Sequence, residues 1–217
     1  MRRAARCAAA LLAFAAAAAA LAGEDDASGR RASSPAKASW EFGLTAYPTS
    51  VRGGDNYTAA IAAADRGPLH FEVRHNYEAI DTTSAFVGWT LSGGDALAWE
   101  LTPLLGAARG TTQAYVPGME LSLSWKRFDY YIEAEYVHDR NEQSDSYTYA
   151  WSELGFKASE WLRVGAAAQR TKAYGGEREL QRGPFLQASW RRATFGAYWF
   201  NPGSGQQVFV GSIGLTF

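Results

Sequence analysis

Period-two alternation of apolar and polar residues between Ser39 and Phe217 predicts an all-β chain. The expected fold is an antiparallel up-and-down transmembrane β-barrel of about 12 strands, with 10 as the alternative count. Three observations carry this. The alternating segments run about 9–12 residues, near what a tilted strand needs to cross a bilayer. Short connections take turns with longer polar ones, which gathers the short turns at one end of the sheet. Large aromatics sit at the ends of the apolar stripes, near one level.

The strands follow in order. Trp40, Phe42, Leu44 and Ala46 share one face of the first, with Glu41, Gly43, Thr45 and Tyr47 on the other. Tyr57, Ala59, Ile61 and Ala63 form the next apolar stripe. Leu69, Phe71 and Val73 then oppose His70, Glu72 and Arg74. Ala85, Val87, Trp89 and Leu91 continue the series, followed by Leu97, Trp99 and Leu101. Leu121, Leu123 and Trp125 oppose Glu120 and Lys126, and Tyr130, Ile132, Ala134 and Tyr136 oppose Asp129, Glu133 and Glu135. Residues 147–157 are rich in aromatics and ambiguous in phase, which suggests a bulge. Leu162 to Ala168, Leu186 to Trp190, Phe195 to Trp199 and Phe209 to Phe217 complete the set.

Short turns are expected at 65–68, 92–95, 126–127, 158–160 and 191–192. Long connections are expected at 48–55, 78–83, 108–117, 139–146, 172–183 and 201–206. The stretch 172–183 reads as the longest and most charged loop, placed either to bind a partner or to fold into the lumen.

Composition narrows the class further. Of 217 residues 47% are hydrophobic, 14% aromatic and 20% charged, which excludes a disordered chain. The one long uncharged run lies at the N-terminus, which excludes a helical membrane protein. Arg2, Arg3 and Arg6 precede that run, and Ala20-Leu21-Ala22 ends it, so residues 1–22 read as a cleaved export signal. Residues 23–38 read as a flexible periplasmic leader, and 39–217 as the barrel. Cleavage removes Cys7, the single cysteine, so no disulfide is expected. It also removes three of the 21 Lys and Arg, against 22 retained Asp and Glu, leaving a net charge of about −4. Nothing there recommends nucleic acid as a partner.

Alternation alone does not say which face meets water. Trp40, Trp89, Trp99, Trp125, Trp161 and Trp190 all fall toward the short-turn end of the apolar stripes, as an interfacial aromatic girdle would. The opposite face is small and charged. The expected arrangement is therefore apolar outside and polar within. The chain resembles bacterial outer-membrane β-barrel proteins as a class, in its export signal, its alternating strands and its ending Val208-Phe209-Val210-Gly211-Ser212-Ile213-Gly214-Leu215-Thr216-Phe217. That resemblance implies residence in the bacterial outer membrane, with membrane lipids as partners. It also implies Phe217 as a signal read by the barrel-assembly machinery.

Glu41, Glu72, Arg74, Glu100, Glu120, Lys126, Glu133, Glu135 and Arg163 are the expected lumen-lining residues, with Asp129 and Gln169. They suit either a narrow passage for a small polar or cationic solute or an internal salt-bridge plug. With strands about 4.8 Å apart and tilted about 40°, twelve give a backbone radius of about 12 Å, and side chains fill most of it.

The alternative is a lipid-modifying hydrolase of the phospholipase or lipid A deacylase type. It needs a base within reach of a hydroxyl, and His75 with Ser84 is the one pair that suggests itself. No catalytic residue is assigned on that basis. No Cys or His cluster has metal-ligand spacing, and no cofactor is expected. Asp139, Glu142 and Asp145 are loop carboxylates that suit a divalent cation or, as the preferred account, plain solvated charge.

The inverted arrangement predicts that the processed protein needs detergent and sediments with membranes. A monodisperse protein in plain buffer would overturn it.

Overall fold

The computed structural model describes residues 39–217. The expected export signal at 1–22 and the expected leader at 23–38 lie outside the described residues, Cys7 included. Thirteen strands follow one another: β1 (Glu41–Val51), β2 (Tyr57–Arg66), β3 (Leu69–His75), β4 (Thr82–Trp89), β5 (Leu91–Gly93), β6 (Ala98–Gly110) and β7 (Ala114–Trp125). Then come β8 (Phe128–Asp139), β9 (Tyr147–Lys157), β10 (Leu162–Ala173), β11 (Arg178–Trp190), β12 (Ala193–Phe200) and β13 (Val208–Thr216). Each pairs antiparallel with the next in sequence, except that β4 passes over β5 to pair with β6, and β1 pairs with β13 from Gly43↔Thr216 to Val51↔Val208. The ring is closed and holds twelve strands.

The thirteenth, β5, stands outside the ring. Its pairing with β6 keeps the register of β4 on β6, but the ladder stops at Gly88↔Leu104 and resumes at Leu91↔Leu101. Pro103 lies in that gap and has no N–H to donate, so the ladder breaks there. Thr90 turns its amide to the Pro68 carbonyl instead, at 2.7 Å.

Closure follows from the environment of the edges. Lipid offers no partner to an unpaired N–H or C=O, so a spanning sheet leaves no edge open. At the seam the amide of Phe42 donates to the Phe217 carbonyl and the amide of Phe217 to the Phe42 carbonyl. Trp40, Phe42 and Phe217 then stack along the outside of that seam.

The pleat sorts side chains as an inverted barrel requires. Leu44, Val73, Leu105, Leu154, Leu186, Phe209 and Ile213 are exposed on the outer face, while Glu72, Arg74, Glu133, Glu135 and Glu153 are buried within. All six girdle tryptophans are exposed and lie at the short-turn end.

Several expectations are corrected. The stripe of β2 is reversed: Ala59 and Ile61 point inward and are buried. Its outward face carries Ala60, Ala62 and Ala64, too small to betray the lipid side by hydropathy. There is no bulge in β9, whose register is continuous with both β8 and β10. Tyr147, Tyr149 and Trp151 confused its phase because they face the lumen.

Two expected loops are mainly strand. Residues 108–117 reduce to a connection at 111–113, and 172–183 to a turn at 174–177 capping a hairpin paired up to Lys172↔Arg178. That hairpin stands as wall and does not fold into the lumen. Where strands rise into water both faces turn polar, so hydropathy loses the period while the hydrogen bonds continue.

Lys126 is also corrected. It occupies the two-residue turn between β7 and β8 with φ of 55°, its ammonium 4.7 Å from the Trp125 ring centre. The strand ends one residue short of it, so it is a turn residue and lines no lumen.

Gly183 marks a close approach of β11 to β12. A Cβ added there would fall on the Trp199 carbonyl, whereas one at Gly205 meets nothing within 4 Å. Gly183→Ala is expected to cost about 1–3 kcal/mol by overpacking, and Gly205→Ala nothing measurable. The checking measurement is the urea midpoint at which the folded band is lost on a cold gel.

Candidate functional site

β3 sends His70, Glu72 and Arg74 inward on alternate residues. Arg74 is fully buried, and its guanidinium organises one half of the lumen. Its Nε donates to Glu72 Oε2 at 2.6 Å. Its Nη1 reaches across to β8, donating to Glu133 Oε1 at 2.8 Å and Glu135 Oε2 at 3.2 Å. The guanidinium plane is held between the rings of Tyr77, at 4.5 Å, and Phe86, at 4.1 Å. Flanking aromatic faces and carboxylates together replace the water that a buried cation loses.

The loop from β3 to β4 enters the lumen and completes this set. Asn76 and Asp81 bracket it with φ of 54° and 56°, a left-handed conformation that Asn and Asp tolerate. Asn76 Oδ1 accepts the Asp81 amide at 2.9 Å, which closes the loop at its base. Tyr77 and Glu78 are thereby turned inward. The Tyr77 hydroxyl donates to Glu133 Oε1 at 2.9 Å, and Ser84 Oγ donates to Glu78 Oε1 at 2.7 Å. The Tyr147 hydroxyl donates to the Glu78 carbonyl.

The other half is organised by Glu153 and Arg163. Trp151 Nε1 and the Tyr198 hydroxyl both donate to Glu153 Oε1, at 3.0 and 3.2 Å. Arg163 Nη1 donates to Glu153 Oε2 at 2.5 Å and to Gln187 Oε1 at 2.7 Å, and its Nε to Asp129 Oδ1 at 2.9 Å. A Cβ on Gly155 would strike this guanidinium, so that glycine leaves room for it. Trp151, Tyr198 and Phe200 pack edge to face and stacked above it. Between them these two clusters fill the middle of the barrel.

Below the fill, at the short-turn end, lies a vestibule of about 490 Å³. Glu41, Asp65, Glu72, Glu100 and Glu120 line it, with His70 and Arg192 as its basic groups. His70 Nδ1 lies 2.7 Å from Asp65 Oδ1, and its Nε2 3.5 Å from Glu72 Oε1. The Tyr131 hydroxyl donates to Glu120 Oε1 at 3.1 Å and forms part of the floor.

Among the residues expected to line the lumen, Glu72, Arg74, Glu120, Glu133 and Glu135 are brought together, Arg163 belongs to the second cluster, and Glu41 and Glu100 sit exposed at the vestibule. Gln169 is buried and donates to Gln181. Sequence reasoning missed Tyr77 and Glu78, because a loop has no alternation to show which way a side chain turns. It also missed Glu153, which lies in the strand of ambiguous phase.

The hydrolase pair is not assembled. Ser84 faces inward to Glu78, while His75 is on the outer face of β3 with Nδ1 3.0 Å from Thr83 Oγ1. The two ring nitrogens of His70 both face carboxylates, and His138 stacks on Tyr136 at the outer surface. Nor do the loop carboxylates converge. Asp139 Oδ1 accepts the amides of Asn141 and Glu142, and no group of three His, Cys, Asp or Glu with metal-holding geometry occurs among the described residues.

No family model matches the chain, and no curated protein matches it in sequence. Solved structures do match in fold. One described as "KdgM porin" superposes with a TM-score of 0.61 at 8% identity, covering 81% of this chain and 99% of its own. Another, "KdgM porin in complex with disordered oligogalacturonate", gives 0.60 at the same identity and coverage. The chain has the fold of an outer-membrane β-barrel.

Removing a cation from buried carboxylates is more costly than removing one that water can replace. Arg74→Ala is expected to lower stability by about 3–5 kcal/mol. Arg163 keeps 19% of its exposure and its partner Asp129 15%, so replacing it by Ala is expected to cost less, about 1.5–3 kcal/mol. Urea midpoints of the two variants against the parent check the order.

Proposed function

We propose that the protein is a narrow outer-membrane channel for small cations or cationic polar solutes, described here in its closed state. The observation that carries this is the charge of the interior. Glu72, Glu78, Glu120, Glu133 and Glu135 are all buried around one guanidinium and one imidazole, and the vestibule leading to them is acidic as well. Carboxylate linings favour cations, and low-dielectric walls focus their field. A polyanion such as the oligogalacturonate named for one of the similar structures would be repelled by such a lining.

Closure depends on the loop that bears Tyr77 and Glu78. Its hold on the lumen includes two hydrogen bonds involving carboxylates, each worth about 1.5–3 kcal/mol. Withdrawing the loop therefore costs about 3–6 kcal/mol and leaves the open state rare but reachable. Arg74 and Glu133 belong to the walls and stay in place when the loop leaves. The last strand with Phe217 at the seam is the segment offered to the assembly machinery, supported by its regular pairing and outward ring.

Planar-bilayer recording tests the channel. The parent is expected to show brief, cation-selective openings, and Tyr77→Ala to raise open probability about ten- to a hundredfold, as the loss of one such bond implies. Glu133→Gln with Glu135→Gln is expected to move the reversal potential toward non-selectivity. Silence from all variants would establish a plugged barrel, and fatty-acid release from lipid by a silent barrel would restore the hydrolase.

A further inference from the structure

We infer that the outer face of the β10–β11 hairpin binds the phosphate-bearing head of a saccharolipid in the outer leaflet. Arg170 and Lys172 of β10 and Arg178 and Arg182 of β11 all lie on the outward phase, shared with Ala166, Ala168, Leu180 and Leu186. The register sets Lys172 directly opposite Arg178, Arg170 opposite Leu180, and Ala168 opposite Arg182. Directly opposed side chains on one face stand about 4.5–5.5 Å apart and diagonal ones about 7–8 Å, and like charges so placed repel.

Among the described residues no ion pair offsets that repulsion. The ion pairs of the described residues belong to His70, Arg74 and Arg163. Glu179 is on the inward phase and accepts from Gln181. The flanking positions on β9 are Thr148, Ala150 and Ser152, all neutral, and Asn201 stands across from Arg182 on the other side. Other outward cations at this end stand singly, Arg109 on β6 and Arg140 over the Tyr115 ring. Glu177, in the turn beside Arg178, makes no ion pair among the described residues, so four cations with one such acid beside them remain complementary to an external anion.

Height identifies the anion. Trp190 marks the short-turn interface on β11. At about 3.4 Å per residue and a tilt near 40°, Arg182 stands about 21 Å above it and Arg178 about 31 Å. The apolar band of such barrels is about 25 Å tall, so the four cations straddle its far edge. The long-loop end faces the exterior in this architecture, and the leaflet there is the outer one. Beside and beneath the cations an outward groove of about 1000 Å³ is lined by Leu154, Leu180, Ala166 and Ala168, with Arg182, Ser152, Asn201 and Gln206 among its polar groups. Cations above and a groove of mixed lining with leucines and alanines at its base fit an anionic amphiphile. A spread of about 10 Å in height suits two phosphates on one sugar head better than a single phosphodiester.

The test uses the processed, folded protein in micelles. Purified bis-phosphorylated lipid A is the probe, with its dephosphorylated form and phosphatidylglycerol as comparators, and native mass spectrometry as the readout. The parent is expected to retain bis-phosphorylated lipid A at least tenfold over either comparator. Arg170→Gln, Lys172→Gln, Arg178→Gln and Arg182→Gln together are expected to abolish that preference, with β-sheet circular dichroism unchanged. Arg127→Gln with Arg191→Gln, in turns at the opposite end, is expected to keep it. Equal retention of phosphatidylglycerol, undiminished retention by the four-fold variant, or no retention by the parent would overturn the site.

Discussion

The hydrocarbon around the barrel cannot hydrogen-bond a backbone, and the rest of the structure depends on that constraint. It obliges β1 to find β13, and the number of strands then fixes the radius. A radius of about 12 Å is one that long side chains from opposite walls can span. Arg74 on β3 reaches Glu133 and Glu135 on β8 because the ring has this width. The lumen chemistry is thus a consequence of closure: a wider ring would leave these residues to water, and a narrower one would exclude them.

Which parts of this were readable from residues follows the same logic. A strand across a bilayer writes its two environments into alternate positions, so β1, β3, β7, β8 and β13 announced both their existence and their facing. β2 did not, because alanines fill its lipid face and a larger residue, Ile61, points inward. β9 did not, because its lumen side carries Tyr149 and Trp151, residues that usually mark the outside. The inward turn of Tyr77 and Glu78 lay beyond pattern altogether. It depends on the left-handed corners at Asn76 and Asp81 and on partners distant in sequence, Glu133 and Tyr147.

The filled lumen bears on the choice between plug and passage. A plug selected only for stability has no need of surplus charge, since apolar packing replaces buried ion pairs at no loss of stability. The Glu153–Arg163 cluster approaches that condition, with its carboxylates, Asp129 and Glu153, both on the guanidinium. The Arg74 cluster does not. It gathers carboxylates from β3, β7, β8 and the β3–β4 loop around a single arginine, and it adjoins an open, acidic vestibule. That imbalance burdens the closed state, and it is what favours the proposed cation passage over a plug.

Strand β11 shows how one pleat serves two solvents. Glu179, Gln181 and Gln187 alternate with Arg178, Arg182 and Leu186, so acids and amides turn inward where cations and leucine turn out. A one-residue slip would put Glu179 against the membrane surface and turn Arg178 inward. The register is therefore held by electrostatics on both faces as well as by hydrogen bonds. The membrane is in this sense part of the fold, closing outside the barrel a charge balance that the chain leaves open.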